Sequence, residues 1–168
     1  MTPDDPRQRP AARVWALTVL VAAAALVMLA GLRHLGTLPG TPVTIRWWGL
    51  APMFFLAELA VVHFGFRQHA HTYSMSELPL VIGLVLAAPT DLVAGQIVGS
   101  FLALVLVRRQ PPAKLAFNIA QFSLQTMTAV FVFRTVVGDS DPLGLPAALG
   151  VLASALAAFL TASVLVNI

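Results

Sequence analysis

The chain has 168 residues, of which 58% are hydrophobic and only 10% are charged. Soluble domains carry about 25% charged residues, so this composition, with a mean hydropathy of +0.86, excludes a soluble globular protein and indicates an integral membrane protein. The net charge of +3 does not indicate a nucleic-acid partner, because the basic residues lie at the ends of apolar runs rather than in one cluster. Cysteine is absent, which excludes disulfides and thiolate metal sites.

The chain opens with a short polar tail followed by two apolar runs. Residues 1–12 contain three prolines and four charged residues, a composition that predicts a disordered cytoplasmic tail. Residues 14–32 form the first predicted span, since this apolar run is longer than the core of a signal peptide. The second predicted span covers residues 47–66 and begins at Trp47 and Trp48, which suit the aromatic belt at a membrane interface.

The third and fourth predicted spans, residues 74–88 and 92–107, are both short. As helices they would be about 22 and 24 Å long, less than the roughly 30 Å of a hydrocarbon core. Pro89 predicts a tight turn between them, and Thr90 or Asp91 could cap the helix that follows. We therefore expect a helical hairpin that either crosses the bilayer or re-enters it and leaves on the same side.

The last two predicted spans are residues 115–137 and 146–168, on either side of an acidic turn. The sequence thus predicts an all-α fold, a polytopic transmembrane helix bundle of about six spans over residues 13–168. Seven Lys and Arg residues fall on the face of the N-terminus and three on the other face. The positive-inside rule then predicts a multi-pass protein with both termini in the cytoplasm.

Several polar side chains interrupt the predicted spans. Glu58 lies in the middle of "FFLAELAVV", and a carboxylate at that depth is a functional-site candidate by default. Asn118, Gln121 and Gln125 fall on one stripe of the fifth span, and Gln96 and Ser100 are four residues apart on the fourth. The alternative role is interhelical hydrogen bonding that only ties helices together. The candidate ligand-binding residues are Glu58, Gln96, Asn118, Gln121 and Gln125.

The remaining polar motifs point to packing or to the membrane interface. Glu77 is predicted at the cytoplasmic interface, near three histidines between residues 63 and 71 whose spacing matches no metal site. Gly150 and Ser154 have the spacing of a packing surface or a dimer face. The sequence contains no P-loop, GxSxG, HExxH or dinucleotide fingerprint. We therefore predict no catalytic residue, no metal and no cofactor for this chain.

One segment, residues 73–133, resembles the N-terminal multi-span region of bacterial cyclic-di-GMP signalling proteins. The similar features are the Ser-x-Ser-Glu-x-Pro motif, the proline turn, the Arg-Arg loop and "KLAFNIAQFSL", carried by Ser74, Ser76, Glu77, Pro79, Pro89, Arg108 and Arg109. The resemblance implies a sensory or anchoring module in the bacterial inner membrane. In that family the cyclase or phosphodiesterase activity belongs to a following GGDEF, EAL or HD-GYP domain. The sequence lacks such a domain, so we expect a truncated gene, a fragment or a stand-alone sensor.

An alternative function is a small transporter component similar to the substrate-binding subunits of energy-coupling-factor transporters. Short helices, polar groups at mid-depth and an interrupted hairpin are typical of such subunits as well. A structural or assembly protein without a ligand is a third interpretation. The lipid bilayer is the predicted partner in every case, and the pattern also allows a homodimer and a small-molecule ligand.

Overall fold

The structure, a computed structural model, describes residues 8–38, 40–41, 43–60, 62–66, 69–73, 75–138, 140–141 and 143–166. Within these residues the chain forms six α-helices and one β-hairpin. The elements are α1 (Gln8–Leu32), α2 (Trp47–Leu59), β1 (Val62–Phe66), β2 (His69–Tyr73), α3 (Glu77–Leu86), α4 (Pro89–Leu102), α5 (Pro112–Val137) and α6 (Leu145–Val166), and α4 continues into a wide π-helical turn, Ala103–Val107.

The predicted bundle of apolar helices is confirmed, and the length and composition of these helices indicate a membrane protein. Among the described residues, four helical stretches are long and apolar enough to cross a membrane: Ala12–Leu32, Pro89–Val107, Pro112–Val137 and Leu145–Leu165. The other two helices are short: the 13 residues of α2 and the 10 of α3 correspond to about 20 and 15 Å.

Proline and glycine set several helix ends. Pro89 and Pro112 occupy the first turns of α4 and α5, where a missing N–H removes no intrahelical hydrogen bond. Gly138 ends α5 with φ +54°, a conformation that glycine adopts without a steric penalty. Helix α4 therefore includes Pro89, which was predicted in a turn before residue 92, and α5 begins three residues before the predicted span of residues 115–137.

Helix α2 lies beside α4 and runs in the same direction. The backbone N–H of Trp47, the first residue of α2, donates to Asp91 in the first turn of α4 over 3.2 Å. Glu58 near the end of α2 contacts Arg108 just after the wide turn. Helix α3 runs the opposite way, because the N–H of Ile45, just before α2, donates to the carbonyl of Leu86 at the end of α3 over 2.8 Å.

The remaining helices complete an alternating bundle. Gly150 near the start of α6 lies against Val137 and Phe133 at the end of α5, so these two helices are antiparallel. Arg134 in the last turn of α5 donates to the carbonyl of Gly36, which follows α1, so α1 and α5 are parallel. The start of α1, the end of α2, the connection from α4 to α5 and the end of α6 consequently share one face of the bundle.

Helices α4 and α5 form the centre of the bundle, and α1 and α6 form its edges. Within the most apolar 18 residues of each candidate span, 44% of the residues are buried in Pro89–Val107 and 39% in α5, against 17% in α1 and 11% in α6. The core is made of large apolar side chains from α2, α4 and α5, among them Leu50, Phe54, Leu92, Met127 and Phe133.

The structure differs from the predicted second span, residues 47–66. The helix ends at Leu59, and Val62–Phe66 pairs with His69–Tyr73 in an antiparallel hairpin. The sequence contains the reason: "VHFGF" places apolar residues at every second position, which is the period of a strand rather than of a helix.

Other predicted boundaries shift by a few residues. Helix α1 already begins at Gln8, inside the predicted tail, and residues 1–7 lie outside the described residues. The cap predicted for α4 from Thr90 or Asp91 is wrong: the residue preceding α4 is Ala88, and no side chain caps the helix. Asp91 instead accepts the hydrogen bond from α2, because two parallel helices that start side by side bring a carboxylate next to a free N–H.

Candidate functional site

Two glycines of α4 bring its backbone against α2. A Cβ atom added to Gly95 would lie 2.6 Å from Leu50 Cβ and 3.0 Å from the carbonyl oxygen of Trp47. At Gly99 it would collide with the carbonyl oxygen of Ala51. The signal that sequence reasoning missed is the Gly-x-x-x-Gly spacing, which is typical of close helix contacts in membranes.

At the far end of this contact, Arg108 binds the end of α2. Its Nη2 atom donates to the backbone carbonyl of Glu58 over 2.7 Å and lies 3.5 Å from the Glu58 carboxylate oxygen Oε2. Glu58 is 2% exposed, whereas a third of the Arg108 side chain is exposed. The carbonyls in the last turn of a helix have no intrahelical partner, so one guanidinium satisfies such a carbonyl and neutralises a buried carboxylate.

The wide turn at the end of α4 sets the direction in which Arg108 leaves the helix. The N–H of Arg108 bonds to the carbonyl of Ala103, five residues back, over 3.1 Å. One extra residue in a turn rotates all later side chains by about 100°. Sequence reasoning treated Arg108 as a topology signal and as part of the Arg-Arg loop. It did not predict a contact with α2, because an apolar stretch such as "ALVLV" contains no mark of a π-helical turn.

Gln96 connects α4 to α5 inside the bundle. Its Oε1 atom accepts a hydrogen bond from the hydroxyl of Thr126, and both residues are buried. One turn further along α4, the hydroxyl of Ser100 is buried and has no hydrogen-bond partner among the described residues. We call Gln96, Ser100 and Arg108 the α4 polar seam, since this helix presents polar groups to α5 on one side and to α2 at its end.

The three polar residues of the predicted stripe on α5 lie in different environments. Asn118 donates to Gln110 Oε1 over 2.8 Å, which ties the start of α5 to the connection from α4. Gln121 is buried inside the bundle and Gln125 is half-buried.

The predicted site residues thus contact different parts of the structure. Glu58, Gln96 and Asn118 each have a partner outside the predicted set, namely Arg108, Thr126 and Gln110. Glu77, predicted at the interface, is exposed in the first turn of α3, where a negative charge is favourable to the helix dipole. Their binding of a ligand remains a prediction.

A cavity of about 300 Å³ lies between α1, α4 and α5. Alanine, valine, leucine, isoleucine and methionine side chains form most of its wall, with the hydroxyls of Thr18 and Ser123 as the polar exceptions. Each of these hydroxyls donates to a carbonyl of its own helix over 2.8 Å. None of the five predicted polar residues lines the cavity, which therefore suits an apolar guest.

The small residues Gly150 and Ser154 of α6 are buried by contacts within the chain. Gly150 faces α5, and Ser154 is fully buried and donates to the carbonyl of Gly150 over 2.6 Å. Of the two interpretations of this spacing, helix packing agrees with the structure.

The described residues contain no group of three His, Asp or Glu side chains that could hold a metal ion. The three histidines considered from the sequence lie in β1 and β2, whose side chains are outside this description. Comparison with known protein families, curated proteins and solved structures finds no match to this chain.

Proposed function

We propose that this chain is the membrane-embedded sensory or anchoring module of a bacterial signal-transduction protein, of the cyclic-di-GMP class that its middle segment resembles. The observation that carries this proposal is the contact of Arg108 with Glu58. It joins the ends of α2 and α4 at the face where α1 starts and α6 ends. A change in the packing of the bundle would therefore alter the face next to which a cytoplasmic output domain would be attached.

The orientation in this proposal follows from charge. The face that includes the start of α1 and the α4–α5 connection contains Arg13, Arg108, Arg109 and Lys114, and an excess of basic residues marks the cytoplasmic side. We place this face in the cytoplasm of a bacterium, at its inner membrane, with both ends of the chain on that side.

We also propose that the short α3–α4 hairpin crosses the bilayer, which gives six spans. Support comes from its tip: Leu86 contacts Ile45 and Asp91 contacts Trp47, and both partners stand at the start of α2. A re-entrant hairpin would turn back before reaching that level. The short α2 and α3 would then match the bilayer by local thinning, at a modest cost per ångström of mismatch.

Signal transfer in this proposal uses α4 as one stiff element. Gln96 on this helix contacts α5, and Arg108 at its end contacts α2. A stimulus that moves α5 relative to α4 would shift the equilibrium between two arrangements of the seam. A ligand can produce this shift only to the extent that its affinities for the two arrangements differ. The hydroxyl of Ser100 offers a second hydrogen bond that an alternative packing could form.

A transporter subunit is the second candidate, and the cavity between α1, α4 and α5 is the observation that favours it. Its volume of about 300 Å³ reaches the lower end of small-molecule pockets. An apolar wall would restrict the substrate to an apolar compound. Gln96 and Arg108 of the seam bind Thr126 and Glu58 on neighbouring helices and do not line the cavity, and for this reason we prefer the sensory module.

The test is a fusion of a diguanylate cyclase domain after Ile168, with cyclic-di-GMP measured in cells. We expect Arg108→Gln to change the output by at least about fivefold, because a coupling of roughly 1 kcal/mol is typical between linked sites. Arg109→Gln, a neighbouring exposed charge, is the matched control and should leave the output unchanged at equal membrane abundance.

Two further variants examine the predicted ligand set. Gln121→Leu and Gln125→Leu should alter the output, and Phe131→Leu on the lipid-exposed side of α5 should not. Alkaline phosphatase and green fluorescent protein fusions after Ile168 would show the side of the C-terminus. An external C-terminus, or an output that no seam or stripe variant changes, would overturn the signalling function. Apolar substrate uptake with a co-expressed ATPase would support the transporter instead.

A further inference from the structure

We propose that the cavity between α1 and α5 is a binding slot for one acyl chain of an anionic membrane phospholipid. The slot is formed by one stripe of α1 and one of α5, and α4 closes its floor with Val93 and Ile97. This inference is independent of the proposed function, since an anchor, a sensor and a transporter subunit could each hold such a lipid.

The dimensions of the slot fit a single hydrocarbon chain. Its lining residues extend over residues 18–29 of α1 and residues 116–127 of α5, which is about 16 Å along each helix. A volume of about 300 Å³ spread over that length describes an elongated space. An unbranched hydrocarbon chain has this elongated shape.

The chemistry of the wall also selects hydrocarbon. The hydroxyls of Thr18 and Ser123 donate to the carbonyls of Val14 and Ile119 in their own helices, so neither has a free hydrogen to donate to a polar guest. An empty apolar cavity destabilises a protein in proportion to its volume. In a bilayer the surrounding acyl chains are the nearest material that can fill it.

The ends of the slot differ in charge, and this difference orients the lipid. Arg13 precedes Thr18 by five residues on α1, and Lys114 precedes Ala116 by two residues on α5. Because α1 and α5 are parallel, these two exposed cations stand at the same mouth. Near the other end the lining helices contribute Arg33, Arg134 and Asp91. Asp91 offsets one of these two cations, and the Arg134 guanidinium already donates to the carbonyl of Gly36.

The mouth with two cations would bind the phosphate of an anionic headgroup, and the chain would then extend along the slot toward the centre of the membrane. Exposed Lys and Arg near a membrane surface attract anionic lipids. Phosphatidylglycerol should therefore be preferred over zwitterionic phosphatidylcholine.

The test is native mass spectrometry of the full chain released from nanodiscs that contain equal parts of phosphatidylglycerol and phosphatidylcholine. We expect one retained phospholipid, mainly phosphatidylglycerol. Ala22→Phe, which fills the slot from α1, should reduce retention at least about tenfold because the ring and the chain cannot share the space. Ala24→Phe, two residues away on the exposed side of α1, is the matched control and should retain the lipid.

A second pair of variants keeps the slot intact. Arg13→Gln with Lys114→Gln should abolish the preference for phosphatidylglycerol, and Arg33→Gln should not. If Ala22→Phe fails to fold by circular dichroism, Ala120→Val fills the slot more gently from α5. Absence of a retained phospholipid in the wild type, equal retention by the filled variants, or equal loss in Ala24→Phe would overturn the slot. Equal binding of both headgroups by the wild type would overturn the charged mouth.

Discussion

Replacing Gly99 with alanine tests the closest helix contact of the bundle. A Cβ atom at this position would lie 2.8 Å from Phe54 Cβ and 2.9 Å from the backbone nitrogen of Phe55, and it would collide with the carbonyl of Ala51. Ordinary Cβ contacts begin at 3.4 Å. Backbone atoms cannot turn aside as the end of a flexible side chain can, so α2 and α4 would have to separate by more than half an ångström.

The size of the effect follows from two opposing contributions. Overpacking a well-filled interface costs about 1–3 kcal/mol, whereas replacing glycine with alanine inside a helix gains about 0.5–1 kcal/mol. We expect Gly99→Ala to lower the free energy of unfolding by about 1–2 kcal/mol. The separation would also lengthen the contact between Arg108 and Glu58, which lies further along the same pair of helices.

The measurement is unfolding by SDS in mixed micelles, followed by far-UV circular dichroism. Gly31→Ala is the matched control, because this glycine is also inside a helix and its added Cβ meets nothing within 4 Å. The control should be as stable as the wild type or up to about 1 kcal/mol more stable. If Gly99→Ala behaves like the control, α2 and α4 do not pack closely at Gly99.

Three further substitutions test the α4 polar seam by the same unfolding assay. Arg108→Gln should destabilise the fold by about 3 kcal/mol, since it removes a guanidinium from beside a buried carboxylate and from the carbonyl of Glu58. Arg109→Gln should stay within about 0.5 kcal/mol of the wild type, and equal effects would refute the ion pair. Gln96→Leu should lower the free energy of unfolding by about 1 kcal/mol. Adding Thr126→Val to this variant should lower it little further, because the two side chains share one hydrogen bond. If the effects of the two substitutions add fully, that hydrogen bond is absent. Ser100→Ala should change stability by less than about 0.5 kcal/mol, because its hydroxyl has no partner to lose; a large loss would reveal one.

The sequence alone was sufficient to predict the class of the protein and much of its helix content. Charge density and hydropathy indicate a membrane protein because they depend only on the solvent that each residue tolerates. The start of α5 follows from its proline pair, since a proline without an N–H fits the first turn of a helix wherever the helix lies. The same property fits Pro89 in the first turn of α4, although this proline was predicted in the preceding turn. These are local properties, and no neighbour in space is needed to read them.

The sequence contains a signal for the early end of α2, but this signal is weak. The two-residue period of "VHFGF" competes with a hydrophobic run that looks long enough to span the bilayer. Hydropathy averaged over a window responds to the second signal and not to the first. The predicted span of residues 47–66 was therefore too long as a helix.

The partners of the polar residues were decided only by the tertiary structure. Glu58 and Gln96 were recognisable as buried polar groups, but their partners Arg108 and Thr126 lie 50 and 30 residues away. Which residues meet depends on α2 and α4 running parallel and on a wide turn that redirects Arg108. Sequence identifies the side chains that must find a partner in a membrane, and the packing of the helices determines which partner each one finds.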